Sequence, residues 1–269
     1  MKKVVFSICA TMYLLSSGLG FAQSFEGDGT SANPYRGTVP SSQTWIGEEI
    51  YANNIVIPSG VTLTISPGMY EASFLRMISS TLTIVSGGAF VLDPNTSATI
   101  RTNLNDGLLR LESTPGELGV ASLRHSNYSG SGNAQVRLYL SGGEIGEDYR
   151  WHYISLPISG VTATSFSTLN LARYIESLAT STDNFPGWVA YDGYQYSSEA
   201  TLPAYAFSNL ELGVGYNYYS TSSNVLTFEG VPNIGDVECN LSWSGNSEFQ
   251  GYNLIGNPYV SCLNWETLI

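Results

Sequence analysis

"NNIVIPSGVTLTISPG" (residues 53–68) alternates apolar Ile55, Ile57, Val61, Leu63 and Ile65 with polar neighbours, punctuated by Pro-Ser-Gly and Ser-Pro-Gly. Alternation at period two with β-branched residues is the pattern of a strand with one buried face. The element then returns. Thr62-Leu63-Thr64-Ile65 is matched 19 residues later by Thr81-Leu82-Thr83-Ile84. A weaker copy stands at Ala98-Thr99-Ile100, with Leu109-Arg110-Leu111 following. A strand-and-turn unit repeating at about 20 residues is the size of one coil of a β-solenoid, where each coil buries its inward residues against the next. The repeat therefore predicts a short β-solenoid or β-helix-like region over 45–125, with Leu63, Ile65, Leu82, Ile84 and Ile100 stacked.

The chain begins with a positive Lys2-Lys3, an apolar run from Val4 to Leu15, and Gly20-Phe21-Ala22. This is the pattern of a signal peptide (1–22), cleaved between Ala22 and Gln23. The apolar run is too short to span a bilayer, and Ser16, Ser17 and Gly18 interrupt it. Cleavage leaves 247 of the 269 residues, with no lysine and with eight arginines against 22 acidic residues, a net charge of −14. Such a surface repels nucleic acid and anionic membranes, whose binding rests on Lys and Arg. Charged residues make up 12% of the chain, about half the usual share, which suits turn-rich β-structure. The opening segment (23–44) is turn chemistry. Its Asp28 and Asn33 read as ordinary turn formers, since the alternating oxygens of a calcium loop are missing.

After the repeats, a Gly/Ser/Asn-rich passage carries one short strand, Ala121 to Arg124, and then reads as a linker over 126–133. Seven strand patterns follow: 134–140, 150–158, 187–193, 213–220, 224–230, 236–243 and 252–258. Turn signals separate them at short intervals, which predicts a β-sandwich, jelly-roll-like, over 134–269. One stretch reads two ways. Leu171, Tyr174, Ile175 and Leu178 have helical spacing, and the same residues would serve as a strand.

No residue set of a known chemistry stands out. Glu48 and Glu49 are adjacent on a strand pattern and point to opposite faces, so they are no catalytic pair. Glu144, Glu147 and Asp148 lie in a turn, and Asp183 stands alone. His152, between Trp151 and Tyr153, is expected to bond to backbone. No nucleophile elbow or phosphate loop is present. Two histidines without ligand spacing argue against zinc, and no cofactor is expected. Aromatic residues are the better lead. Tyr194 with Tyr196, and Tyr216 with Tyr218, each share a strand face and are candidates for stacking on sugar rings or a protein partner. Trp151, Trp188 and Trp243 are expected in the core. Cys239 and Cys262 stand 23 residues apart. Both a disulfide, worth roughly 3 kcal/mol in an exported protein, and a pair of small buried thiols are open.

The phrases "AQVRLYL", "RWHYISLPISG", "GWVAYDG", "GVGYNYY", "LTFEGVPNIGDV" and "YNLIGNPYVSCLNW" resemble a module of large surface proteins exported by the type IX secretion system. In such proteins a β-repeat region with a phrase like "GVTLTISPG" precedes the module, and "GDGTSANPY" is similar to the segment that follows their signal peptide. The resemblance covers most of the mature chain. It implies that Ala172 to Ser177 is a strand. The family usually has a small residue where Cys262 stands and an apolar one where Cys239 stands, and the double departure implies a disulfide between them. The family also continues into further strands and a C-terminal sorting domain read by the export machinery. Neither is in this sequence, so the sandwich is expected to be incomplete, a fragment with an open sheet edge.

The expectation is thus a non-catalytic cell-surface or extracellular protein, adhesin-like or a scaffold segment of a larger polypeptide, with a glycan or a surface protein as partner. The alternative is a carbohydrate-binding module of a secreted glycan-active enzyme whose catalytic domain is missing. If the chain truly ends at Ile269, the product is expected to be periplasmic.

Overall fold

The computed structural model describes residues 24–266 except 73–74, 79, 86, 93–101, 106, 117–119, 126–127, 144–149, 167–169, 180–185, 246–250 and 265. The expected signal peptide with its Ala22/Gln23 cleavage, the repeat copy ending at Ile100, the acids of 144–148 and Asp183 lie outside the described residues.

The fold is all-β, with 45% strand and 5% helix. A leading strand β1 (Tyr35–Thr38) lies beside a first coil of β2 (Gln43–Trp45) and β3 (Glu49–Ile57). The second coil is β4 (Thr62–Ile65), β5 (Gly68–Ala72) and β6 (Leu75–Ile78). The third is β7 (Thr81–Ile84), β8 (Gly88–Leu92) and β9 (Thr102–Asn105), and the fourth β10 (Leu108–Leu111), β11 (Ser122–Arg124) and β12 (Tyr128–Ser129). Every strand pairs parallel with its counterpart one coil away. The sequence repeat is the ladder register itself: Thr62, Leu63, Thr64 and Ile65 face Thr81, Leu82, Thr83 and Ile84 one for one.

Identical registers build columns. Leu63, Leu82 and Leu109 stack in one, Ile65, Ile84 and Leu111 in the next, all fully buried. On the adjoining sheet Ile50, Tyr70, Phe90 and Leu123 form a third column. Tyr70 is a buried polar pin: its hydroxyl lies 2.8 Å from Ser66 Oγ and within 3.1–3.2 Å of the Trp45 and Gly47 carbonyls. The corner before it requires glycine. Gly68 has φ +146°, and a Cβ there would sit 2.3 Å from the Gly47 carbonyl oxygen. The third rung after Leu63 and Leu82 is Leu108–Leu111, which the sequence showed only as a sequel to the weaker copy.

The second lobe is an antiparallel sheet of β14 (Arg150–Ile154), β15 (Leu171–Tyr174), β16 (Trp188–Ala190), β17 (Tyr194–Gln195), β18 (Ala200–Thr201) and β19 (Tyr216–Ser220), in the order β14-β19-β15-β16-β17-β18. The joint between the lobes departs from expectation. The strand 133–140 (β13), expected to open the sandwich, is the fifth rung of the solenoid, with Asn133–Val136 parallel to Leu108–Leu111. The expected linker 126–133 is crossed by β12 and by the start of β13. Period two alone cannot distinguish a solenoid rung from a sandwich strand. β13 then runs on and pairs antiparallel with β20 (Asn224–Gly230), from Ala134↔Gly230 to Leu140↔Asn224. An antiparallel partner ends the parallel stacking, so β20 caps the solenoid.

The inner face of the antiparallel sheet packs over this cap. Ile154, Leu171, Tyr216 and Tyr218 are buried, with Phe166 ringed by Tyr218 at 5.7 Å and Phe228 at 6.2 Å. Among the described residues β20 meets this face through Phe228, and the sheets are not closed. Two expected strands do not form ladders. Residues 236–243 are irregular, and 252–258 contributes only the Val214↔Ile255 bridge. The two-way stretch is a strand to Tyr174, shorter than the resemblance implied, followed by a 3-10 turn at Glu176–Leu178.

Candidate functional site: an aromatic sheet face

Antiparallel partners share a face, and so do residues two apart. Trp151↔Tyr219, Tyr153↔Asn217, Ala172↔Asn217, Ala172↔Ala190 and Tyr174↔Trp188 therefore all stand on the outer face. Val189↔Gln195 puts Tyr194 and Tyr196 there too. Seven aromatic rings thus surround a floor of small residues, Asn217, Ala172 and Ala190. Because the floor is low, rings from strands three apart reach across it. Tyr153 and Trp188 lie almost parallel, 9° apart with centroids at 6.1 Å. Trp151 leans on Tyr219 at 5.0 Å, and Tyr174 meets Trp188 edge-on at 5.5 Å. Trp151 is 42% and Tyr153 70% exposed, so the platform is open to solvent.

The structure corrects the ring assignment. Tyr194 and Tyr196 do sit together, edge to face at 5.6 Å. Tyr216 and Tyr218 face inward at 1% and 4% exposure and are core residues. The Tyr216 hydroxyl accepts the Glu211 N–H at 2.7 Å. Conversely Trp151 and Trp243, expected inside, are exposed, and Trp188 is half-buried. A signal for this was present: Ile154, Leu156 and Ile158 alternate into the core, which turns Trp151 and Tyr153 outward.

Trp151, Trp188, Tyr196, Ala172 and Asn217 enclose a small cleft of about 40 Å³. Asn217 is 7% exposed, and its Oδ1 has no hydrogen-bond partner among the described residues. Leaving a buried acceptor unmade costs about 1–3 kcal/mol. Sequence reasoning missed Asn217, since one asparagine in "YNYY" shows no periodic signature. The Tyr174 hydroxyl is likewise buried without a hydrogen-bond partner. Burial, followed by nearby acidic groups, pushes the Tyr174 and Tyr196 hydroxyls above the usual range, so both are protonated donors at neutral pH.

Beside Tyr174, the buried Glu176 accepts the Ser244 N–H at 3.0 Å, the Ser244 hydroxyl at 2.8 Å and the Gly251 N–H at 3.1 Å on one oxygen. These bonds, led by the Ser244 N–H, hold its carboxyl below the ordinary range. A depressed folded-state value means the stabilisation is full above the unfolded pKa of about 4.3 and is lost as pH falls through the folded value. Acidification below about pH 4 is expected to release Ser244 and Gly251 locally, read as lost amide protection at both. Glu176→Gln should abolish that acid step, and protection that stays flat into acid would refute it.

Among the described residues the other candidates do not assemble a reaction centre. His152 Nε2 donates to the Ser141 carbonyl at 2.7 Å, and Glu49 accepts the Tyr51 hydroxyl at 3.2 Å. Asp28 accepts the Thr30 N–H and hydroxyl, as a turn residue does. A cavity of about 250 Å³ holds His125, whose burial keeps it neutral, but no carboxylate lines it. Among the described residues no three His, Cys, Asp or Glu side chains converge.

The expected disulfide is absent. Cys239 and Cys262 are exposed free thiols that both line a cavity of about 360 Å³. The Cys239 sulfur is turned to the Gly213 carbonyl, 3.4 Å away, rather than toward a second sulfur. A thiol reagent is expected to label two cysteines per native chain starting at Gln23, whereas labelling only after reduction would reveal a bridge.

Among the described residues no helix is long and apolar enough to cross a membrane. Comparison with protein-family models, with curated proteins and with solved structures returned no match.

Proposed function

We propose that this chain is a non-catalytic, exported binding protein of the cell surface or extracellular space, adhesin-like, that takes carbohydrate on its aromatic sheet face. The observation that carries the reading is the open platform of Trp151, Tyr153, Trp188 and Tyr219 over a floor holding the unpartnered Asn217 acceptor. Sugar rings offer apolar C–H faces to aromatic rings and hydroxyls to buried polar groups, and this face presents both kinds of partner. The mature net charge of −14 favours neutral glycans over polyanionic ones. Among the described candidates, His152, Glu49, Asp28 and Glu176 are already engaged in hydrogen bonds, which supports binding over catalysis.

The reading is tested by titrating soluble neutral oligosaccharides into the protein starting at Gln23 and following tryptophan emission. A saturable change in emission is expected, because Trp151 and Trp188 both line the platform. No response to any neutral oligosaccharide at millimolar concentration would refute it.

A further inference from the structure

We propose that the cleft between Trp151, Trp188 and Tyr196 receives the acetamido group of an N-acetylhexosamine, with Asn217 Oδ1 accepting its N–H. This rests on the carbohydrate reading above and narrows it to one class of sugar. Three observations converge on that group. The first is size. About 10–15 Å³ of such space holds one water, so the 40 Å³ cleft takes three or four heavy atoms. A pyranose ring does not fit, while a single substituent does, its ring lying outside on the exposed Trp151 and Tyr153.

The second is the chemistry of the walls. Trp151, Trp188, Tyr196 and Ala172 offer apolar and aromatic surface. A hydroxyl or hydroxymethyl group would bring little to such walls. An acetamido group brings a methyl for the rings and an N–H for the floor. The third is the orphaned acceptor. Asn217 sits on β19, paired on both sides by β14 and β15, so its backbone is fully committed and only its side chain is left to read a ligand. The Oδ1 lies beneath the cleft surface, so binding requires the Trp151 ring, 42% exposed at the rim, to move aside.

Charge separates this group from an ammonium, the other small occupant that aromatic walls accept. No carboxylate lines the cleft. The neighbouring Asp192 is occupied by the Tyr194 N–H at 3.0 Å. A neutral amide therefore suits the cleft better than a cation.

The test compares three oligosaccharides of equal length by calorimetric titration: N-acetylglucosamine, glucose and glucosamine oligomers. The expected result is at least about tenfold tighter binding of the N-acetylated oligomer than of the glucose oligomer, or ~1.4 kcal/mol. Saturation-transfer NMR should then show its strongest signal on the acetyl methyl. Asn217→Val should erase the preference while the melting temperature holds or rises, since the variant removes an unmade hydrogen bond. Asn217→Ala serves as a second variant if valine disturbs the sheet. Equal affinity for the N-acetylated and glucose oligomers would overturn the acetamido assignment and leave the aromatic platform standing. Tighter binding of the glucosamine oligomer, or a preference that survives both variants, would overturn it too. Binding of none of the three would overturn this inference, and the carbohydrate reading would fall with it once no other neutral oligosaccharide changes the tryptophan emission.

Discussion

Leu82→Ala is expected to destabilise the protein by about 3 kcal/mol, near the middle of the range for buried leucines. Leu82 is fully buried and sits between Leu63 of the preceding coil and Leu109 of the next. Truncation opens a cavity that neither neighbour can fill, because each is held in register by its own ladder. In a domain of this size the melting temperature should fall by roughly 6–12 °C. A solenoid's stability is close to a sum over coils and the interfaces between them. The loss should therefore appear first as hydrogen exchange in β4, β7 and β10, ahead of the antiparallel sheet. Thr83→Ala, one residue along and pointing out of the same rung, is the control and should cost about 0.5 kcal/mol or less. Equal losses at the two positions, seen in denaturant melts, would contradict the columnar core.

Trp151→Ala combined with Trp188→Ala is expected to weaken the proposed carbohydrate binding by at least about a hundredfold. Anchoring aromatic residues each contribute about 2 kcal/mol to the binding that they centre. Two of them amount to several hundredfold if additive. They share one cleft, so strict additivity is not expected. The two rings play different parts. Trp151 is largely an exposed contact, and its removal should leave the melting temperature nearly unchanged. Trp188 also supports Tyr153 and Tyr174, so its removal should additionally loosen the platform. Calorimetric titration of each single variant and of the double variant separates these roles. An unchanged dissociation constant in the double variant would remove the face from the functional account.

What the sequence made legible follows from how each element is specified. The rungs β4 and β7 were readable because their repeat is their pairing register, so one pattern specifies both strand and partner. The corner strands β5, β6, β8 and β9 were not, because their register is imposed by the rungs rather than by a motif of their own. The joint was misread at β13, since "AQVRLYL" carries the same alternation in a parallel stack as in a sandwich. The aromatic face was half legible. Tyr216 and Tyr218 could not be told from Asn217 and Tyr219 within "YNYY", where both parities carry tyrosine. Their direction is set by the neighbouring strand, through Ile154↔Tyr216 and Tyr153↔Asn217. Asn217 as a buried acceptor was invisible for another reason: an unmade hydrogen bond belongs to the packing around a residue and leaves no periodic trace. The cysteines failed similarly, since their departure from the resembled module carried no information on where either sulfur points.

The pairing of β13 with β20 makes everything between them a cassette. Leu140 and Asn224 are direct partners across that ladder, so residues 141–223 leave the solenoid and return at adjacent points. Lobes whose two ends meet are the kind that chains gain, lose and exchange most readily. The coils below depend on Leu63, Leu82, Leu109 and their columns, none of which lies in the cassette. The outer-face rings and floor residues can therefore change without touching the columns of the coils below. In this architecture the strands that carry the face all lie between Leu140 and Asn224, while the tail beyond β20 fastens them through the Val214↔Ile255 bridge and the Glu176 bonds to Ser244 and Gly251.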